Sequence, residues 1–219
     1  MTKPQQVFYA DGDTIANMEQ RYRAAFINSL SGFKSANLIG TSSSDGVNNL
    51  AIVNSVFHVG ANPPLLGMII RPHTVRRDTL ENLEATGQYT INHINQDILR
   101  QAHQTSARYE AEVSEFDAVG LTPEYGKRCN APYVAQAIIK IGLQKKQVTE
   151  LEINGTVLVI GQITEVMLPD NIIAGDGYVD IEKAGTVAIS SLDSYHNTQR
   201  IERLTYAKPD LPVSAIGVE

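Results

Sequence analysis

The chain has 219 residues, is 42% hydrophobic and 19% charged, and carries a formal net charge of −6. That length buries a substantial core, and with no long polar tract present the composition excludes an intrinsically disordered chain. The excess of 24 acidic over 18 basic residues disfavours a phosphate-tracking nucleic-acid binder, and a lone Cys129 excludes an intrachain disulfide and a thiolate-built metal centre.

The N-terminal stretch Met1–Gln6 is polar and precedes no continuous apolar run, so no secretory leader is expected and the expected compartment is a reducing cytoplasm. Ile15, Met18, Tyr22, Phe26 and Leu30 then recur at spacings of three and four. This predicts one amphipathic helix over about 14–31, with Asp13 at its start and Gly32 past its end. Ala36–Ser44 leads into a Ser-Ser-Ser-Asp-Gly turn at 42–46. Strand-like residues follow over Asn49–Val59 and Leu65–Ile70, separated by Gly-Ala-Asn-Pro-Pro, and the three segments predict an antiparallel meander. The stretch from Gly46 to Ile70 has no charged residue, but its asparagines and Pro63-Pro64 break it, so no helix spanning a membrane is expected there.

Asp78 with Glu81 predicts a capping box opening a short helix that Gly87 closes. Tyr89–Ile94 reads as a strand, Gln96–Arg108 as a second short helix, and 109–132 mostly as loop around an apolar knot of Phe116, Val119 and Leu121. Val134–Gly142 and Val148–Ile153 are β-rich, Asn154-Gly155 is the strongest hairpin signal, and Thr156–Met167 is a long strand expected to bend at Gly161. A last strand-like segment, Thr186–Ile189, precedes a polar tail. With no repeat and no linker, the expectation is a single domain over 1–219, a mainly β, antiparallel barrel with peripheral helices.

The charge is unevenly placed. Residues 46–77 contain no Asp or Glu, where the average density would place roughly three or four. The same window holds Arg71, Arg76 and Arg77, which leaves the rest of the chain at −9 (15 basic against 24 acidic residues). These arginines sit where a strand gives way to a helix N-terminus, whose free N–H groups and dipole favour an anion. Two arginines beside that positive end are misplaced if nothing binds and favourable if a phosphate bridges them, with Thr74 or Thr79 adding a hydroxyl. The bland alternative is that Arg76 and Arg77 are solvated and pair with Glu81 or Glu84. A second candidate is Asn54-Ser55-Val56, where polar residues interrupt an apolar strand. They are either a satisfied pair near a sheet end or the edge that meets a flat heteroaromatic ligand.

The sequence carries no Gly-x-Gly-x-x-Gly, no phosphate loop of the Walker type, no His-Glu-x-x-His and no Gly-x-Ser-x-Gly, and its five histidines never fall at metal-binding spacing. No metal site and no catalytic acid, base or nucleophile is therefore expected. His58 and His196 read as structural or surface histidines, and Cys129 as an incidental thiol.

Several blocks, taken in order, resemble a known family. They are Asp45-Gly46, Asn49-Leu50-Ala51, Asn62-Pro63-Pro64-Leu65-Leu66, Arg77-Asp78-Thr79-Leu80-Glu81-Asn82-Leu83, Thr86–Asn92, Glu115–Thr122, Gly155–Gly161, Asp176-Gly177 and Tyr195. Together they resemble the flavin reductase-like, FMN-binding split-barrel family in its flavoredoxin-type branch, over roughly 35–200. The resemblance implies a Greek-key-like split β-barrel that holds FMN noncovalently near a homodimer interface. Asn54, Ser55 and Val56 would line the flavin ring, while Arg71, Thr74, Arg76, Arg77, Asp78 and Thr79 would meet the phosphate. It implies an oxidoreductase with NAD(P)H as possible electron donor, the flavin supplying the redox chemistry. The family also accommodates noncatalytic flavin carriers, and a phosphate pocket alone equally suits a split-barrel binder of heme or a pyridoxal phosphate-like ligand. No nucleic-acid or membrane partner is expected. The chain departs from the family pattern at Ile52 and Asn54, where proline and a hydroxyl residue are usual.

Overall fold

The computed structural model describes residues 6–72, 77–110 and 112–217. Two helices open the chain, α1 (Gly12–Ala16) and α2 (Gln20–Leu30), in place of the single helix expected over 14–31. Each has its own cap: Asp11 Oδ1 accepts from Thr14 N at 2.8 Å, and Glu19 Oε2 accepts from Tyr22 N at 2.9 Å. A residue serving as an N-cap has left helical geometry, so the cap at Glu19 ends any continuation from α1. Gly32, at φ +74°, follows α2 as expected.

Strands β1 (Lys34–Ser35), β2 (Asn37–Ser42), β3 (Asn48–Val53), β4 (Phe57–Ala61) and β5 (Pro64–Ile70) come next, followed by α3 (Asp78–Thr86) and β6 (Gln88–His93). A 3-10 turn at Gln96–Ile98 runs into α4 (Leu99–Gln104), shorter than the helix expected to reach Arg108. One turn of helix, α5 (Glu115–Val119), builds the apolar knot around buried Phe116. Short strands β7 (Pro123–Glu124) and β8 (Tyr133–Val134) pair with each other, and the long strands β9 (Lys140–Leu151) and β10 (Thr156–Met167) form the hairpin signalled by Asn154-Gly155. Finally β11 (Ala188–Ser190) pairs with β1 and with β12 (Ser194–His196). Among the described residues, no helix is long and apolar enough to cross a membrane.

The main sheet is antiparallel throughout, with the order β3-β2-β6-β9-β10-β5-β4. β3 and β4 are consecutive in sequence yet stand at the two ends of that order, so the expected meander breaks at Asn54. Only residues 54–56 join them, a span of at most about 14 Å. The sheet must therefore roll until its edges nearly meet. Ser55 stitches that seam: its Oγ donates to Ile69 O at 2.7 Å and accepts from Ile69 N at 3.2 Å, replacing a strand ladder with one side chain. This is a split barrel, mostly β and not closed.

The two largest cores lie on either face of the rolled sheet. Its interior packs Ile39, Met68, Tyr89, Ile91, Leu143 and Val159, with Leu80 and Leu83 of α3 as a plug. On the outer face, Leu38 and Leu50 pack with Ile98 and Ala102 of the 3-10 turn and α4, Phe116 of α5, Val187 and Ile189. The alternation of Leu38 and Ile39 to opposite faces explains why β2 is apolar almost without interruption. The pairing of β10 with β9 shifts register between Ile160 and Gly161, the position where a bend is expected, with Lys146 of β9 left out of the ladder. Glycine is required there, since a Cβ would fall 2.2 Å from the Tyr89 hydroxyl. The loop before β8 is fastened by Glu165, whose carboxylate accepts from the backbone N–H groups of Lys127, Arg128 and Cys129 and from the Tyr133 hydroxyl, all at 2.9–3.1 Å.

Candidate functional site

The seam opens into a cleft of about 470 Å³. One set of lining residues comes from the seam and the start of α3: Ile52 to Ser55, Ile69 to Arg71, and Arg77 to Thr79. The other comes from α4 and the loop after it (His103, Thr105 to Tyr109) together with Ile189, Leu192 and Tyr195. Of the expected site residues, the fold brings Asn54, Ser55, Arg71, Arg77, Asp78 and Thr79 to this one cleft. Val56 does not join them; it lies in the connection between β3 and β4 and packs against the barrel interior. Thr74 and Arg76 lie outside the described residues.

Ser55 spends its hydroxyl on Ile69, so its side chain holds the seam shut and offers a ligand mainly its backbone. Asn54 Nδ2 donates to Ser191 O at 3.2 Å. That same carbonyl accepts from Lys34 Nζ at 3.0 Å, and Ser191 has a left-handed backbone, φ +53°, as the turn that presents it demands. With one N–H of Nδ2 committed, Asn54 keeps its second N–H and its carbonyl oxygen to offer a ligand.

α3 begins differently from the capping-box expectation. Arg77, not Asp78, is its N-cap and makes no side-chain cap bond, while Gly87 closes the helix at φ +72° as expected. Behind this turn Asn49 Nδ2 donates to Thr79 Oγ1 at 3.1 Å and to Thr41 Oγ1 at 3.3 Å. The bonds fix the first helical turn against β2 and β3.

The arginines dominate the electrostatics. Arg77 Nε is buried and has no hydrogen-bond partner among the described residues. Burial, with the charges of Arg71 and Arg108 added, pushes the Arg77 guanidinium below its usual range. Among the described residues, no carboxylate makes an ion pair with Arg71, Arg77 or Arg108. Glu115 also lines the cleft, but its carboxylate accepts the Leu50 N–H at 2.9 Å; burial raises its pKa despite that bond, and Asp78 raises it further. Repelling cations around a buried, unsatisfied donor are costly unless an anion enters.

Sequence reasoning missed the second set of lining residues. Arg108 belongs to the cluster although it lies 31 positions from Arg77. His103, not His58 or His196, is the histidine of the cleft. Its Nδ1 lies 2.8 Å from the Tyr195 hydroxyl, with the rings edge to face. His58 is exposed on β4, and His196 Nε2 contacts Ser190 and Ser194 while its ring meets Phe33 edge-on. Cys129 is buried, and burial pushes its thiol up, as befits an inert side chain. The described residues hold no cluster of His, Cys, Asp and Glu able to bind a metal.

Residues 30–188 match the family model described as flavin reductase like domain. The chain belongs to that family. The solved structures agree. A split-barrel-domain protein of the flavin reductase type from Shewanella frigidimarina is 52% identical, covers 92% of this chain and 100% of its own, and superposes with a TM-score of 0.89. Component B of nitrilotriacetate monooxygenase from Bacillus cereus shares the fold at 18% identity and a TM-score of 0.80, over 91% of this chain and all of that one. The flavoredoxin of Desulfovibrio vulgaris shares it at 22% identity and 0.66, over 82% and 92%. In this flavin reductase-like chain the residues present fit a flavin. The cleft runs along an apolar strand edge with one directed amide, and at Arg77 it ends in an orphaned donor suited to a phosphate oxygen.

Proposed function

We propose that the protein binds FMN noncovalently in the seam cleft and works as an NAD(P)H-dependent, flavin reductase-like oxidoreductase. The observation that carries this reading is Arg77, with a buried Nε that has no partner among the described residues, beside Arg71 at the start of α3. Arg71, Arg77 and the first-turn N–H groups at Asp78 and Thr79 bind the phosphate, joined by Thr74 and Arg76 from the adjoining segment. Asn54 and Ser55 would hold the ring, through their backbone groups and the side-chain amide of Asn54.

FMN supplies the redox chemistry when bound, accepting and passing on a hydride. The chain's part is placement and exclusion. The seam strands wall off water on one side, and Ser55 keeps that wall rigid through Ile69. The arginines draw the phosphate end to a fixed position. No protein acid or base is required at the reacting atoms, in keeping with a cleft whose one carboxylate of raised pKa, Glu115, is bonded to Leu50 N.

The working unit is a homodimer with the cleft near its interface. Support comes from α2, which buries no residue in the single chain and leaves Tyr22 at 57% and Leu30 at 66% exposure, beside Phe33 at 67%. Sedimentation should show a dimer; a strictly monomeric flavin-loaded protein refutes that part. Anaerobic mixing of FMN-loaded protein with NADH or NADPH tests the activity. Rapid bleaching of the flavin absorbance is expected, and no bleaching would leave a flavin carrier. Failure to bind FMN at micromolar concentration would overturn the whole reading.

A further inference from the structure

We propose that Lys34 raises the reduction potential of the bound flavin, its ammonium being held beside Asn54 by the carbonyl of Ser191. The inference rests on the FMN reading above and concerns the ring, not the phosphate. Lys34 lies on β1, and its Nζ donates to Asn28 O, in the last turn of α2, at 3.1 Å and to Ser191 O at 3.0 Å. Both contacts adjoin the cleft. Asn28 lines it, and Ser191 O also accepts from Asn54 Nδ2, so one carbonyl keeps the ammonium and the amide side by side. The orphaned carbonyl of a helix end needs a donor, but a neutral side chain would serve that purpose as well. What Lys34 adds is a full charge. It is half-buried and makes no ion pair with a carboxylate among the described residues; burial pushes its pKa below the usual range, with no neighbouring charge to hold it up. Ser191 is the one non-glycine residue among those described with a left-handed backbone, φ +53°, an unfavourable conformation that here presents a single carbonyl to both donors.

A desolvated cation without an anionic partner is stabilised by any negative charge that forms near it. Reduction of the flavin forms one. A hydride from a nicotinamide-class donor brings two electrons and one proton to the neutral oxidised ring, which then carries one negative charge, while the donor leaves oxidised. The arginines face the phosphate, whose charge is the same in both states, so they favour neither. Lys34 stands at the end of the cleft assigned to the ring and meets a negative charge there only after reduction. Its ammonium therefore favours the reduced flavin over the oxidised one, as a preorganised charge favours the state in which the opposite charge has developed.

The test measures the midpoint potential of the FMN-loaded full chain for wild type, Lys34→Gln and Lys34→Arg, by anaerobic dithionite titration against a reference dye. Quenching of flavin fluorescence gives the affinity for oxidised FMN alongside. Loss of one nearby opposite charge should weaken reduced FMN relative to oxidised about tenfold in Lys34→Gln, which for a two-electron couple is a fall of about 30 mV. Lys34→Arg keeps the charge and should stay within about threefold of the wild-type ratio. A side chain that only capped α2 or fixed the Ser191 turn would, when replaced, weaken oxidised and reduced FMN alike and leave the midpoint where it was. Should Lys34→Gln fail to fold, Lys34→Met, which keeps most of the apolar stem and loses the charge, carries the same test. The proposal is overturned if the neutral variant lowers the ratio by less than about threefold, or if Lys34→Arg lowers it as far as the neutral variant does. Failure of the wild-type protein to bind oxidised FMN would instead refute the FMN reading itself.

Discussion

Replacing Arg77 with methionine separates the cost of the site from its use. Methionine keeps most of the apolar stem, and the N-cap role survives because it rests on the backbone: Arg77 O accepts from Leu80 N at 2.9 Å and Glu81 N at 3.0 Å. What disappears is a buried Nε without a partner and a charge repelled by Arg71 and Arg108. An unsatisfied buried donor costs about 1–3 kcal/mol, so the ligand-free variant should be more stable than wild type by about 1 kcal/mol or more. For a chain of this size that corresponds to a rise in Tm of about 2–4 °C. The same substitution removes a charge-assisted phosphate contact of about 1.5–3 kcal/mol, weakening FMN about 13- to 160-fold. At an FMN concentration of about 100 times the wild-type Kd, ligand stabilisation should fall from about 2.7 kcal/mol to about 0.3–1.3 kcal/mol. Thermal melts with no ligand, with FMN and with riboflavin measure all three quantities. Riboflavin lacks the phosphate and should stabilise both proteins alike. A lower ligand-free Tm, or equal losses for FMN and riboflavin, refutes the argument.

Glu165→Gln should destabilise the protein by about 2 kcal/mol in urea unfolding, because three backbone donors and the Tyr133 hydroxyl lose a charged acceptor. Although burial acts to raise its pKa, the bonds from Arg128, Tyr133, Lys127 and Cys129 hold the Glu165 carboxyl below its usual value. Its stabilising contribution is therefore full above about pH 4.5 and is lost as pH falls through the lower folded value. The variant should show a shallower acid slope there, and an unchanged slope would show that the carboxylate charge is not what holds the loop. Tyr89→Phe removes a second buried group without a partner and should raise stability by about 1 kcal/mol; a loss of that size in chemical denaturation would mean the hydroxyl is satisfied. Gly161→Ala should cost about 1–3 kcal/mol or more through its clash with the same tyrosine, and a neutral result would place the Tyr89 ring elsewhere.

The barrel was largely legible because its strands announce themselves locally. Thr156–Met167 is β10 to the residue, and Asn154-Gly155 marks its hairpin. Asn54 and Ser55 stood out as polar residues in an apolar run, but 49–59 read as one strand, and the break between β3 and β4 depends on the far edge of the sheet, where Ile69 receives Ser55. Periodicity carries no information about which distant strand closes a seam. The arginine-lined end of the cleft was readable for the same local reason as the hairpin: Arg71 and Arg77 flank one strand-to-helix junction. Arg108, His103 and Tyr195 reach the cleft from separate elements, and only packing of α4 and β12 against the outer face brings them there. The continuous N-terminal helix failed because its apolar spacing persists across Asn17–Glu19, while the caps at Asp11 and Glu19 divide it. An apolar repeat tells which face is shared, not whether the backbone between is unbroken.

The serine stitch at the seam would couple occupancy of the cleft to the breathing of the sheet margins. β3 and β4 are its terminal strands, each paired on one side only, and Ser55 is the crosslink that bridges them through β5. Amides at such margins open more readily than those of central strands, exchanging with solvent by local fluctuations rather than global unfolding. A ring lying along Asn54 and Ser55 would restrain both margins at once. Hydrogen exchange should therefore slow on binding not just at the arginines but along β3 and β4, two strands that share no ladder and would otherwise relax independently.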